Sequence, residues 1–127
     1  MKIAEVSEKF GLTADTLRYY EKIGLMKEVE KDASGRRDYQ ERDLKRINFL
    51  KCMRTAGLSI ELLKKYVDLY NLGEYTIPQR KQILISQQEI LEDKMTEMQK
   101  TLDYLKYKIE NYEETLVKKE RQEAKKS

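Results

Sequence analysis

From Leu84 onward, apolar residues recur in alternating steps of four and three for four heptads. The positions are Leu84, Gln88, Leu91, Met95, Met98, Leu102, Leu105, Ile109, Tyr112 and Leu116. Nine of the ten are apolar, counting Tyr112, and no glycine or proline interrupts them. This spacing predicts one long helix carrying a coiled-coil seam. With Pro78 well placed in its first turn, a helix from Pro78 to Leu116 would be roughly 58 Å long at 1.5 Å per residue. An apolar stripe on a helix ordinarily faces its own core. Here the preceding domain of about 70 residues cannot cover a helix of that length. A second chain must cover the rest, with Gln88 as the polar position that sets register.

The first 70 residues are built differently, from short segments separated by turn signals. Ile3, Val6 and Phe10 follow helical spacing and Gly11 stops that helix. Thr13 is placed to cap the next helix through the N–H of Asp15 or Thr16, and Asp15 suits the positive end of its dipole. Leu17 and Tyr20 supply the inward side of this second helix, and Ile23-Gly24-Leu25 its exit. Residues 26–38 lack helical periodicity. Asp32-Ala33-Ser34-Gly35 reads as a turn between Met26–Val29 and Arg36–Tyr39, which predicts a short antiparallel hairpin or wing. Two more helices are expected over about 41–56 and 59–71, with Gly57 between them and Ser59 as a fresh cap. The tail, residues 119–127, is almost wholly charged or polar and is expected to fray.

The chemistry available narrows the function. With no histidine and one cysteine in 127 residues, the chain lacks a nucleophile–base pair and a thiolate–imidazole metal set, and it has no glycine-rich phosphate loop. One cysteine also excludes an intrachain disulfide. With no signal peptide or apolar run of membrane-spanning length, the expectation is a cytoplasmic protein that is not an enzyme and holds no cofactor or metal. The net charge of +3 sits entirely in residues 1–70, where 15 Lys/Arg face 12 Asp/Glu. That excess alone is a weak pointer to a polyanion.

The second helix makes the stronger case. Ala14, Asp15, Arg18, Tyr19 and Lys22 project away from Leu17 and Ile23, and the capped N-terminus offers backbone donors as well. Arg36 and Arg37 sit at the predicted hairpin tip with Tyr39 nearby. Each of these residues has an ordinary structural use; their concentration around a helix-turn-helix favours nucleic acid.

The order Ile3-Ala4-Glu5-Val6-Ser7, Gly11-Leu12-Thr13, Thr16-Leu17-Arg18-Tyr19-Tyr20-Glu21, Gly24-Leu25, Gly35-Arg36-Arg37-Asp38-Tyr39 and Ala56-Gly57-Leu58-Ser59 resembles the MerR family of bacterial transcription regulators. The resemblance implies a mainly α fold: a winged helix-turn-helix DNA-binding domain over 1–71, then a linker and long dimerisation helix over 72–118 that forms an antiparallel coiled coil. It further implies a homodimer on a pseudo-palindromic promoter operator in double-stranded DNA, distorting the promoter for RNA polymerase. Carried over by position, Thr13 to Lys22, including Thr16, form the recognition helix. Arg18 and Tyr19 contact backbone and groove, Arg37 and Tyr39 belong to the first wing, and Gly57-Leu58-Ser59 belong to the second. Met26 to Lys31 depart from the family's usual proline and arginine, with Lys31 standing for the arginine as a point charge.

The residues alone make Cys52 a packing cysteine, since helical spacing puts it with Phe49 and Ala56. The resemblance is closest to the aldehyde- and electrophile-responsive (NmlR/AdhR-like) subgroup, which has a lone cysteine in the same helix and implies a sensor at Cys52. No cysteine follows it, which argues against thiolate metal sensing, and the chain as given leaves no room for a separate drug-binding domain. The alternatives are a constitutive DNA binder with an inert packing cysteine, and a coiled-coil adaptor that binds protein.

Overall fold

The computed structural model describes residues 1–126, without the side chains of Thr115, Leu116, Lys125 and Lys126. It divides into two compact units, Met1–Gln88 and the residues from Glu89 onward.

In the first unit, α1 (Ile3–Phe10) and α2 (Ala14–Lys22) form a helix-turn-helix. Val6 and Phe10 face inward, and α1 ends because Gly11 takes a left-handed conformation at φ 65°, turning its N–H onto the Ser7 carbonyl. Thr13 then starts α2, its hydroxyl accepting the Thr16 N–H at 3.1 Å. Leu17 and Tyr20 bury the inner face of α2. The chain leaves through Gly24, and α3 (Glu41–Thr55) follows, started by the Gln40 N–H on the Asp43 carboxylate at 2.8 Å. The Ser59 hydroxyl accepts the Leu62 N–H and opens α4 (Ile60–Leu72). Ile47 and Leu50 of α3 close against Leu63 and Val67 of α4 in one core with Val6, Leu17, Leu25 and Val29.

The wing is reduced. Among the described residues there is no extended strand; one isolated antiparallel bridge joins Lys31 to Arg37. Two backbone bonds support it, Asp32 N–H to the Arg36 carbonyl at 2.8 Å and Asp38 N–H to the Glu30 carbonyl at 2.7 Å. The expected hairpin is therefore one turn with short legs. Its incoming leg turns Met26 and Val29 into the core instead of pairing along an edge.

A 3-10 turn, Glu74–Thr76, leads into α5 (Ile77–Glu110), with Pro78 in the first turn. Thr76 is buried, and its hydroxyl lies 2.6 Å from the Leu69 carbonyl and accepts the Arg80 Nε–H at 3.0 Å. The guanidinium groups of Arg46 and Arg80 each lie 5.2 Å from the Tyr70 ring centroid, which joins α3, α4 and the start of α5. Ile83 packs on the core. Gln87 is buried and donates its amide to the Ala56 carbonyl at 2.7 Å. Gln88, the expected register residue, is exposed.

In the second unit α5 continues to Glu110. Met95, Met98, Leu102, Leu105 and Ile109 lie between 44% and 74% exposed. The helix does not run on regularly to Leu116. After Asn111 a π-helical segment, Tyr112–Val117, intervenes before α6 (Lys118–Lys126). π winding adds a residue per turn and shifts the face that later residues present. Tyr112 therefore starts a new phase, and the Leu116 side chain lies outside the described residues. The charged tail expected to fray is helical through Lys126; Ser127 lies outside the described residues. Among the described residues no helix is long and apolar enough to cross a membrane.

Candidate nucleic-acid interface

The outer face of α2 is free of core duties. Thr13, Asp15, Arg18, Tyr19 and Lys22 are exposed, while Ala14 and Thr16 are half-buried. Arg18 pairs with the Asp15 carboxylate one turn earlier, at 3.2 Å. Both groups are open to solvent, so the pair costs little to break when a phosphate competes. Tyr19 is 47% exposed, whereas its neighbour Tyr20 is buried. Helical geometry separates them, because consecutive residues point about 100° apart.

The wing tip is held from within by Asp32. One oxygen of its carboxylate accepts the N–H groups of Ser34 at 2.9 Å and Arg36 at 3.0 Å, and the other meets the Lys2 ammonium. The Lys2 contact first, then these amide bonds, hold the Asp32 carboxyl well below the usual carboxylate range. Asp32 thus makes a small anionic turn centre, and Arg36 projects from it into solvent.

Two wing expectations need correction. Tyr39 is 3% exposed and belongs to the core, and burial pushes its phenol above the ordinary tyrosine range. Its ring is not available to DNA, because the outgoing leg of so short a wing turns straight into the core before α3. Arg37 is half-buried and bound to Glu21 of α2, its Nε and Nη2 each 2.9 Å from the same carboxylate oxygen. It is occupied inside the domain.

Ser59 is exposed and caps α4, beside the turn at Gly57. Cys52 is also exposed, which corrects the packing expectation. Leu50, two residues earlier, takes the buried position on α3.

Glu21 and Asp32 are structural supports that motif reading passed over. Glu21 did carry a signal: it follows Leu17 by four residues and so shares the inward side of α2. A carboxylate in that position needs partners. Among the described residues no group of histidine, cysteine and carboxylate side chains could hold a metal ion.

A capped helix with an exposed arginine and tyrosine, backed by a second helix and flanked by a basic turn, defines a winged helix-turn-helix DNA-binding domain. Comparison with known proteins narrows the class. The MerR HTH family regulatory protein pattern matches residues 1–69, and the MerR DNA-binding pattern matches residues 44–107. The chain belongs to the MerR family of transcriptional regulators, not to a family of enzymes. It is 53% identical over 91 residues to the HTH-type transcriptional regulator AdhR of Bacillus subtilis, a match covering 72% of this chain and 65% of that one. The chain thus spans just under two thirds of that relative's length. A MerR family transcriptional regulator from Listeria monocytogenes superposes with a TM-score of 0.80 at 41% identity, covering 98% of this chain and 95% of its own. HiNmlR, a MerR family regulator lacking the sensor domain and solved bound to promoter DNA, gives 0.78 at 30% identity, covering 91% of this chain and 92% of its own.

Proposed function

We propose that two copies of this regulator pair through the α5 seam and bind a pseudo-palindromic promoter operator, in the cytoplasm where promoter DNA lies. The recognition helices, one from each copy, enter successive major grooves. Thr13, Ala14, Asp15, Thr16, Arg18, Tyr19 and Lys22 form the contact surface of each, with Arg36 at the wing tip and Ser59 at the second wing. The bound dimer distorts the promoter for RNA polymerase. The observation that carries this reading is the row Met95, Met98, Leu102, Leu105 and Ile109, apolar and exposed along one helix in a single chain. A row of that kind is the usual mark of a surface meant for a partner. Mapping DNA bound by the regulator across the source genome tests the reading. Clustered sites inside promoters support it; binding spread evenly over the genome, without promoter preference, refutes it.

The signal we propose is an aldehyde or another electrophile that adds to the sulfur of Cys52. Support comes from the exposure of Cys52 and the 53% identity to AdhR. A reporter strain carrying Cys52→Ser should lose induction by aldehydes while keeping operator binding. Unchanged induction leaves the alternative, a constitutive binder with an inert cysteine. The adaptor alternative falls with membership in a DNA-binding family.

A further inference from the structure

Two surfaces on this domain must reach DNA together, the outer face of α2 and the wing. Their relative placement has to be built into the protein, and the wing cannot supply it alone. A two-stranded hairpin is marginal in water, and this one has a single bridge, Lys31 to Arg37. One carboxylate ties both legs of the wing to α2. Glu21 Oε1 accepts the N–H of Val29, on the incoming leg, at 2.6 Å. Glu21 Oε2 accepts the Nε–H of Arg37, on the outgoing leg, at 2.9 Å, and pairs with its Nη2, also at 2.9 Å. The Glu21 side chain is 12% exposed and that of Arg37 is 28% exposed. Arg36, one residue nearer the tip, is exposed and has no carboxylate partner among the described residues.

We propose that Glu21 is the positioning residue that fixes the wing against the recognition helix, and that Arg37 serves DNA binding through Glu21 instead of meeting a phosphate itself. This rests on the DNA-binding reading above. It also makes a prediction of unusual sign. Taking a negative charge away from a DNA-facing domain ordinarily strengthens binding, through weaker repulsion of the phosphates. Here, removing the charge of Glu21 weakens binding to the specific site, because a released wing must be ordered again in the complex.

The test uses Glu21→Gln, Arg37→Lys and the double variant in the full chain. Affinity is read by fluorescence anisotropy on a duplex selected from a random-sequence pool by the unaltered protein, and on sheared genomic DNA. Arg37→Lys keeps the positive charge but cannot make the two-nitrogen contact. Each single variant should bind the selected duplex about tenfold more weakly, the size expected for losing a charge-assisted contact. The double variant should be no worse than either single one, since both remove the same link. Genomic DNA binding should be unchanged, and exchange of the Val29 amide should quicken in Glu21→Gln. The proposal is overturned if Glu21→Gln binds the selected duplex as tightly as the parent or tighter. It is equally overturned if the two effects add, or if Arg37→Lys keeps full affinity, as a phosphate contact would. Should Glu21→Gln fail to fold, Arg37→Lys still decides: lost affinity at an unchanged salt dependence supports the clamp, and retained affinity refutes it. Failure to select any duplex strikes the DNA-binding reading, not the clamp.

Discussion

Tyr19, Tyr20 and Tyr39 show how little residue type says about role. All three sit in a motif that suits DNA, yet Tyr20 and Tyr39 are core residues and only Tyr19 is open. Truncation should separate core from surface. Tyr39→Ala should lower unfolding free energy by roughly 3–5 kcal/mol, as for other buried rings. Arg18→Ala should leave stability within about 0.5 kcal/mol and lower the slope of log affinity against log salt by about 1. Chemical denaturation and salt-titrated binding check the two. Asp32 gives a pH signature. Its carboxyl is held below 3.8 in the folded chain, so its contribution is present above the unfolded value and lost as the pH falls through the lower, folded one. The amide shifts of Ser34 and Arg36 should stay native at pH 3.8 and change only at lower pH; a midpoint at or above 3.8 would contradict the Asp32-centred turn.

Among the elements, helix boundaries were the most legible part of the chain. Gly11, Thr13, Ser59 and Pro78 each act through local geometry that needs no tertiary knowledge, and each stands where its element starts or stops. The wing was less legible. A turn at Asp32–Gly35 between flanks without helical periodicity predicts a hairpin, but Met26, Val29 and Tyr39 are claimed by the core, and burial overrides edge pairing. Arg37 likewise read as an exposed charge because its partner lies 16 residues away on another element. Gln87 carries no signal in the heptad spacing. One position on a helix is a turn of about 100°, which puts Gln87 onto the Ala56 carbonyl at the end of α3 and Gln88 on the exposed side. Gln87→Ala leaves the Ala56 carbonyl without its partner and should cost about 1–3 kcal/mol. Thermal unfolding of the variant measures it, and an unchanged midpoint would show that the bond adds nothing net.

At the scale of the whole molecule, a chain that is 39% charged carries a long row of exposed methionine, leucine and isoleucine, which the proposed pairing through α5 would cover. The seam's regular part ends at Glu110, since the π-helical segment from Tyr112 changes the phase. Pairing should therefore depend on the positions up to Ile109. Leu102→Asp places a charge in the middle of that stretch and should shift sedimentation from dimer to monomer at micromolar concentration, with the helix-turn-helix domain still folded. The central claim is that two such domains act on one DNA site. A hydroxyl-radical footprint on a duplex selected by the protein tests it most directly. The account predicts two protected half-sites related by a dyad, both lost together in Leu102→Asp. A single asymmetric half-site, equally protected by the parent and the variant, would contradict it.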